Sequence, residues 1–303
     1  MLELANISYH IGDKPLLKDI SLKIQPGEVV AIVGANGAGK TTMMKILCGA
    51  LKPQTGSASL DGKNVSQIDP DRLARRRAVL PQHSTLSFAF SSLEVVMMGR
   101  TPHRTTASED LEIAFQAMEA AGVDHLASQS YITLSGGEQQ RVHLARVLAQ
   151  IWSPSEEGDR YLFLDEPTAS LDLSHQHHVL RIARQVAKGG VGVLAVLHDL
   201  NLASQHADRI VVMRKGRLTA EGTPDEVMTP DIINDAFDIN VMVTRHPAAA
   251  CPLVVALPEE AMIDHDSIPI ASASSTSQLR SPISIKIPVT PEEEAVIKEI
   301  TES

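Results

Sequence analysis

Apolar positions along the chain predict a set of buried strands separated by helices. Residues 29–33 read Val-Val-Ala-Ile-Val, a continuous apolar run typical of a strand that is buried on both faces. Similar runs recur at residues 161–164, 192–197 and 209–213, and residues 173–187, between the first two, have helical spacing. Strand-helix-strand order with such apolar strands predicts a parallel sheet joined by right-handed crossovers.

A different period begins near residue 84 and continues to residue 151. Apolar residues recur there every three to four positions, over residues 93–99, 108–121 and 136–151. This spacing is expected of helices that bury one face. We therefore predict a helical subdomain at residues 84–151.

The α/β core is then expected to comprise residues 1–83 and 152–257, with an acidic C-terminal extension at residues 258–303. That extension contributes six of the ten net negative charges of the chain. Two interpretations of it stay open. It is either a partly disordered tail, or it folds back as a strand at residues 283–289 and a helix that starts near Pro291.

Composition narrows the class of function. A net charge of -10 argues against a nucleic-acid partner, because phosphate contacts need clustered Lys and Arg. The two cysteines, Cys48 and Cys251, lie far apart in sequence, which suits a reducing compartment. We expect neither a secretory signal nor a membrane span, since the longest apolar stretches fall well short of about 18 residues.

A glycine-rich loop follows the first buried strand and leads into a predicted helix at about residues 40–49. Its glycines let backbone N–H groups converge on a phosphate at the positive end of that helix. We expect Lys40 to contact the β- and γ-phosphates of ATP, and the Thr41 hydroxyl to ligate Mg²⁺. The predicted nucleotide-binding residues of this loop are Gly34, Ala35, Asn36, Gly37, Ala38, Gly39, Lys40, Thr41 and Thr42.

Two adjacent carboxylates follow the predicted strand at residues 161–164. Asp165 should lie at the carboxyl edge of the parallel sheet, beside the glycine loop, where α/β proteins bind ligands. We expect Asp165 to hold Mg²⁺. Glu166 is the candidate general base that polarises the attacking water.

Residues 134–141 read Leu-Ser-Gly-Gly-Glu-Gln-Gln-Arg, about a hundred residues after the loop and shortly before the paired carboxylates. This element resembles the signature of ATP-binding-cassette (ABC) ATPases. The resemblance covers about residues 1–245. It implies an α/β phosphate-loop NTPase that hydrolyses ATP, with a mixed, mainly parallel sheet core, an N-terminal antiparallel part and an inserted helical subdomain.

The signature also implies a second copy of the chain as partner. By this resemblance Ser135, Gly136, Gly137 and Glu138 face the γ-phosphate that the other copy binds. The physical reason is that a Ser-Gly-Gly turn opening a helix is itself an anion-binding N-terminus. A nucleotide held between two such termini joins two copies into a head-to-tail dimer with two composite sites.

The same resemblance gives roles to four further residues. Gln82 matches a glutamine that links the γ-phosphate and Mg²⁺ to the helical subdomain. His198 matches a histidine that contacts the γ-phosphate, so both are candidate catalytic residues beside Glu166. Asp172 matches an aspartate that reaches across the dimer. Tyr9 lies where the family places an aromatic ring against adenine, although a lone tyrosine is otherwise ordinary in a strand.

Several segments resemble importers of large iron chelates and cobalamin, and within that group the heme importers: residues 73–83, 99–103, 141–150 and 196–203. The resemblance implies a peripheral ATPase at the cytoplasmic face of the inner membrane, bound to two transmembrane permease subunits. A periplasmic or surface heme-binding protein would be an indirect partner. A ferric-siderophore or cobalamin substrate stays open, as do an ATPase acting on DNA and a regulatory ATP-binding protein.

Three features of the sequence resemble binding sites but are expected to have no binding role. His175, His177 and His178 should lie on a solvated helix face without a carboxylate partner, and Cys251 should lie in a loop. Whether either binds anything stays open. The basic run at residues 75–77 is expected to be a solvated helix end.

Overall fold

The computed structural model describes residues 1–82, 86, 88–169 and 171–258. Strands form at β1 (Leu2–Ile11), β2 (Lys14–Ile24), β3 (Val29–Val33), β4 (Thr55–Leu60), β5 (Lys63–Asn64), β6 (Arg77–Leu80), β7 (Tyr161–Asp165), β8 (Gly192–Val196), β9 (Arg209–Arg214), β10 (Arg217–Gly222), β11 (Val241–Arg245) and β12 (Pro252–Ala256). Helices form at α1 (Lys40–Leu47), α2 (Pro70–Arg76), α3 (Ser92–Met97), α4 (Ala107–Ala120), α5 (Gly136–Gln150), α6 (Leu173–Lys188), α7 (Leu200–His206), α8 (Pro224–Val227) and α9 (Pro230–Phe237).

The central sheet has the strand order β10-β9-β3-β8-β7-β6. Strands β9, β3, β8, β7 and β6 run parallel, and β10 pairs antiparallel with β9 at one edge. Every residue of β3, β7 and β8 is buried, as their continuous apolar runs predict. The predicted parallel α/β core is confirmed.

Both faces of this sheet are covered, and successive residues of β3 alternate between them. Val30 and Ile32 face an apolar layer shared with α1 and with a second, antiparallel sheet of order β2-β1-β4-β5. Val29, Ala31 and Val33 face the opposite layer, built largely from α5, α6 and α7. The N-terminal antiparallel part is therefore present and lies over one face of the core.

The helical stretch between β6 and β7 is built from α3, α4 and α5, which pack on one another. Gly99 allows the close approach of two backbones there, because a Cβ at this position would lie 2.2 Å from the Arg146 carbonyl oxygen. The helices are where their apolar period predicts them. The boundaries of a separate subdomain at residues 84–151 stay a prediction.

The basic run is not the solvated helix end that we expected. Arg76 is 6% exposed, pairs with Asp61 and donates to the Asp159 carbonyl at 3.0 Å. Arg75 donates to the Pro102 carbonyl at 3.0 Å, which joins α2 to the segment after α3. Guanidinium groups satisfy several carbonyls at once, so these arginines fasten segments together rather than facing water.

The described chain ends in a hairpin that the apolar pattern did not reveal. Strands β11 and β12 pair antiparallel. The Ser204 hydroxyl donates to the Pro252 carbonyl at 2.7 Å, so α7 holds the hairpin against the core. The acidic extension beyond residue 258, with its alternative strand and helix, lies outside the described residues. Within the described part, no helix is both long and apolar enough to cross a membrane.

Candidate nucleotide site

The glycine loop joins β3 to α1, and two of its glycines are required by close contacts. A Cβ at Gly34, where φ is +152°, would lie 2.2 Å from the Met213 carbonyl oxygen. A Cβ at Gly39, where φ is +106°, would lie 2.8 Å from the Leu16 carbonyl oxygen. Gly39 caps α1 without a side chain, so the first N–H groups of the helix have no side-chain acceptor. Such N–H groups form an anion-binding site.

Lys40 is folded back into the loop that carries it. The residue is 5% exposed, and its ammonium donates to the carbonyls of Gly34 at 2.7 Å and Ala35 at 3.1 Å. Burial lowers the pKa of Lys40, against the opposing charges of Glu166 and Asp165. A buried cation whose hydrogen bonds go to backbone carbonyls is well placed to gain from an incoming phosphate oxygen.

Asp165 ends β7 beside this loop. Thr41 Oγ1 donates to Asp165 Oδ1 at 3.3 Å, and Asp165 is 5% exposed. Burial, and then the neighbouring charge of Glu166, raises the pKa of Asp165. A hydroxyl and an incompletely neutralised carboxylate are hard oxygen donors, so this pair fits Mg²⁺. Gln82, the third predicted ligand, donates instead to Glu166.

Glu166 lies between the two other candidate catalytic residues. Gln82 Nε2 donates to Glu166 Oε2, and His198 Nε2 lies 2.6 Å from Glu166 Oε1. The Glu166 side chain is 15% exposed, and its φ of +50° is uncommon for a residue with a Cβ. The backbone is therefore held in a left-handed turn that aims the carboxylate at both neighbours.

Strand register explains why these three residues meet. Leu80 pairs with Leu164 and Asp165 pairs with Val196 in neighbouring parallel strands. Gln82, Glu166 and His198 each follow the ends of β6, β7 and β8 by one or two residues. Because carboxyl ends of parallel strands meet at one edge, residues far apart in sequence converge there.

The predicted signature residues form the start of α5. Ser135 Oγ accepts from the Glu138 N–H at 3.4 Å, and Glu138 Oε2 accepts from the Ser135 N–H at 2.8 Å, a reciprocal cap. These hydrogen bonds, with the Ser135 hydroxyl and backbone, lower the pKa of Glu138. A Cβ at Gly136 would meet nothing within 4 Å, so the turn is open on that side. Their contact with a second copy stays a prediction.

Asp172 and Tyr9 occupy ordinary structural positions within one chain. Asp172 caps α6, accepting from the His175 N–H at 2.9 Å and lying 2.7 Å from His175 Nδ1. Tyr9 is half-buried opposite Leu17, whose neighbour Leu16 contacts the glycine loop through Gly39. Tyr9 therefore lies one strand away from the loop. Their roles across a dimer and at adenine stay predictions.

The expectation that the histidine run lacks a carboxylate neighbour is wrong for His175, which bonds to the helix cap Asp172. His177 Nδ1 lies 3.1 Å from His206 Nε2 on α7, so it is not simply solvated either. Within the described residues, no group of three or more His, Cys, Asp or Glu side chains is arranged to hold a metal. The buried Cys251 accepts at its carbonyl from the His246 N–H, within the β11–β12 connection.

Gln140 lies in the signature segment, but the sequence did not predict its contact. Gln140 Nε2 donates to the Pro167 carbonyl at 2.8 Å, which joins α5 to the turn just after Glu166. Gly137 approaches the same turn, since a Cβ there would lie 3.5 Å from Leu171 Cδ2. The available signal was the position of Gln140, a polar residue that follows the first turn of α5.

Comparison with known proteins gives a consistent set of relatives. The sequence profile of the ABC transporter family matches residues 17–169. A hemin import ATP-binding protein of Gloeobacter violaceus is 52% identical over 259 residues, covering 85% of this chain and 94% of the relative. One from Methylobacillus flagellatus is 49% identical, covering 84% and 96%. A dimeric bacterial ABC transporter cassette is similar in structure, with a TM-score of 0.64 and 28% identity, covering 74% of this chain and 98% of that one.

Proposed function

Because the chain belongs to the ABC transporter family and is an ATP-hydrolysing cassette, we propose that it powers the import of heme across a membrane. The observation that supports hydrolysis is the position of Glu166, between Gln82 and His198 and beside the Lys40 loop. The observation that supports heme is sequence identity near one half, over most of both chains, with hemin import ATP-binding proteins.

In this proposal the loop residues 34–42 hold the triphosphate of ATP. Their N–H groups and the Lys40 ammonium bind the β- and γ-phosphates, while Thr41 and Asp165 hold Mg²⁺, which neutralises phosphate charge when bound. Glu166 orients and deprotonates the attacking water. His198 and Gln82 fix the Glu166 carboxylate from either side and so keep it aimed at that water.

The second half of the site comes from a second copy of the chain. Residues 135–138 present a capped but open helix N-terminus, whose positive end suits the γ-phosphate bound in the other copy. Asp172 and Tyr9 are proposed to meet the partner's site and the adenine ring, respectively. The related cassette whose structure is dimeric, and which has also been captured with ADP and phosphate, supports this arrangement.

The working complex is proposed to contain two copies of this chain and two transmembrane permease subunits, fed by a heme-binding protein outside the inner membrane. Residues 84–151 are the proposed subdomain that meets the permease, and residues 1–83 and 152–257 the proposed ATPase core. The chain would then lie at the cytoplasmic face of that membrane. Binding of ATP closes the pair of copies and hydrolysis reopens it.

The test is reconstitution of this chain with its permease in lipid vesicles, measuring phosphate release with three forms of binding protein. We expect heme-loaded binding protein to stimulate turnover several-fold, and ferric-siderophore or cobalamin carriers to have no effect. Stimulation by one of those carriers instead would overturn heme as substrate. No stimulation by any carrier, with basal ATPase intact, would overturn the coupling to import.

A further inference from the structure

An open surface pocket of about 300 Å³ lies where the end of α4, the start of α5 and the first three turns of α6 meet. We call it the α6 pocket. It is several times larger than the space that one ordered water needs. The polar side chains that line it are all neutral or basic: Arg141, Ser174, His175, His178 and Arg181. No carboxylate lines it.

The charges of the two arginines of the α6 pocket are not offset by an ion pair within the described part of the chain. Among the residues that the structure describes, the ion pair nearest the pocket joins His175 to Asp172, and neither Arg141 nor Arg181 forms one. Burial, and then the charge of Arg181, lowers the pKa of His178, so the His178 ring is neutral at pH 7 while the two arginines are charged. Like charges that line one pocket repel each other, and both guanidinium groups would gain from an anion placed between them.

The α6 pocket also lies directly behind the signature turn. The Arg141 guanidinium is 4.0 Å from the position that a Cβ on Gly137 would take. Glu138 begins the same helix as Arg141, and the charge of Arg141 helps to lower the pKa of Glu138, after the hydrogen bonds from Ser135. An anion in the pocket would therefore lie about one helix turn from the N-terminus that is proposed to face the partner's nucleotide.

We propose that the α6 pocket binds inorganic phosphate between Arg141 and Arg181. Planar guanidinium groups match the oxygen geometry of phosphate, and the cavity has room for it together with water. Phosphate is also the product that this ATPase releases, so it is present wherever the protein works. The site is separate from the glycine loop and does not depend on which substrate the transporter carries.

The test measures phosphate affinity by calorimetry in the full chain carrying Lys40→Ala, which weakens phosphate binding at the glycine loop. In that background we expect saturable binding of one phosphate per chain. Arg181→Gln should weaken it about tenfold or more, the effect of losing a charge-assisted contact. Arg141→Gln should weaken it similarly. Arg184→Gln is the matched control on the same helix, because its guanidinium donates to the Gln205 carbonyl and does not line the pocket.

The proposal is supported if Arg181→Gln and Arg141→Gln weaken binding while Arg184→Gln changes it less than about twofold. Equal losses in all three variants would show a general effect of net charge and overturn it. Absence of saturable binding in the Lys40→Ala background would overturn it as well. Arg181 is exposed, so its replacement should fold normally, and circular dichroism verifies this. ATPase activity is measured separately in chains with intact Lys40, so failure here leaves the proposed transport function untouched.

Discussion

Replacing Glu166 by glutamine separates the charge of this residue from its shape. Glu166 accepts from Gln82 at one oxygen and lies 2.6 Å from His198 Nε2 at the other. A glutamine amide offers one acceptor and one donor group. Its oxygen can accept from Gln82 while its NH₂ donates to His198 Nε2 in the tautomer whose proton is on Nδ1, so both contacts survive. What disappears is the negative charge and the basic lone pair.

The expected loss of turnover follows from that difference. General-base catalysis contributes about 10²–10⁴-fold, or roughly 3–5 kcal/mol of barrier. We therefore expect Glu166→Gln to lower turnover by at least about a hundredfold. Affinity for ATP should be unchanged or higher, because the charge of Glu166 acts on Lys40 and opposes the phosphates of the nucleotide. Bound but uncleaved ATP should then trap a closed dimer.

Three measurements check this prediction: phosphate release at saturating MgATP, nucleotide affinity by fluorescence, and molar mass by light scattering with ATP. Glu119→Gln is the matched control, since Glu119 is exposed on α4, away from the site. It should behave as wild type in all three. Turnover of Glu166→Gln within a few-fold of wild type would refute the assignment of Glu166 as the general base and show that another group takes this role.

Three further predictions test the rest of the site. Lys40→Ala should weaken ATP binding by about 10–100-fold, from the loss of charge-assisted contacts; unchanged affinity in a fluorescence titration would contradict the loop assignment. Asp165→Asn should abolish Mg²⁺-dependent turnover yet raise the melting temperature of the nucleotide-free chain. Because the pKa of Asp165 is raised in the folded chain, the free energy of unfolding falls as pH rises from the ordinary carboxyl pKa towards the raised one. Asparagine has no such charge to bury. Gly136→Asp should fold as well as wild type, since an acid at a helix start is favourable, but lose ATPase activity by repelling the partner's γ-phosphate. Ala107→Asp, at the equivalent position of α4, should keep full activity.

The elements of the core were predictable because their signals are local. A strand buried on both faces must be apolar throughout, and β3, β7 and β8 are. The glycine loop was predictable for the same reason, since Gly34 and Gly39 adopt positive φ angles that favour glycine over residues with a side chain. Such requirements are met within a few residues of sequence and leave a readable pattern.

The burial and the contact partners of the polar side chains were not predictable from local sequence. A run of three arginines suggests solvent, but Arg76 is buried because Asp61 and the Asp159 carbonyl supply its partners. Those partners are contributed by other segments, and only the tertiary fold shows that they meet it. The hairpin at the end of the described chain was missed similarly, since α7 supplies the contacts that hold its strands.

Gln82, Glu166 and His198 lie far apart in sequence but come together in the fold. Nothing local in the sequence places them together; only resemblance suggested a common site. The strand order supplies the physical reason, because β6, β7 and β8 are neighbours and end in register. The turn after Glu166 is in turn bonded to α5 through Gln140 and Pro167. A displacement of the signature helix therefore bears directly on the turn that aims the Glu166 carboxylate, so the two halves of the proposed composite site are joined within each chain as well as across the dimer.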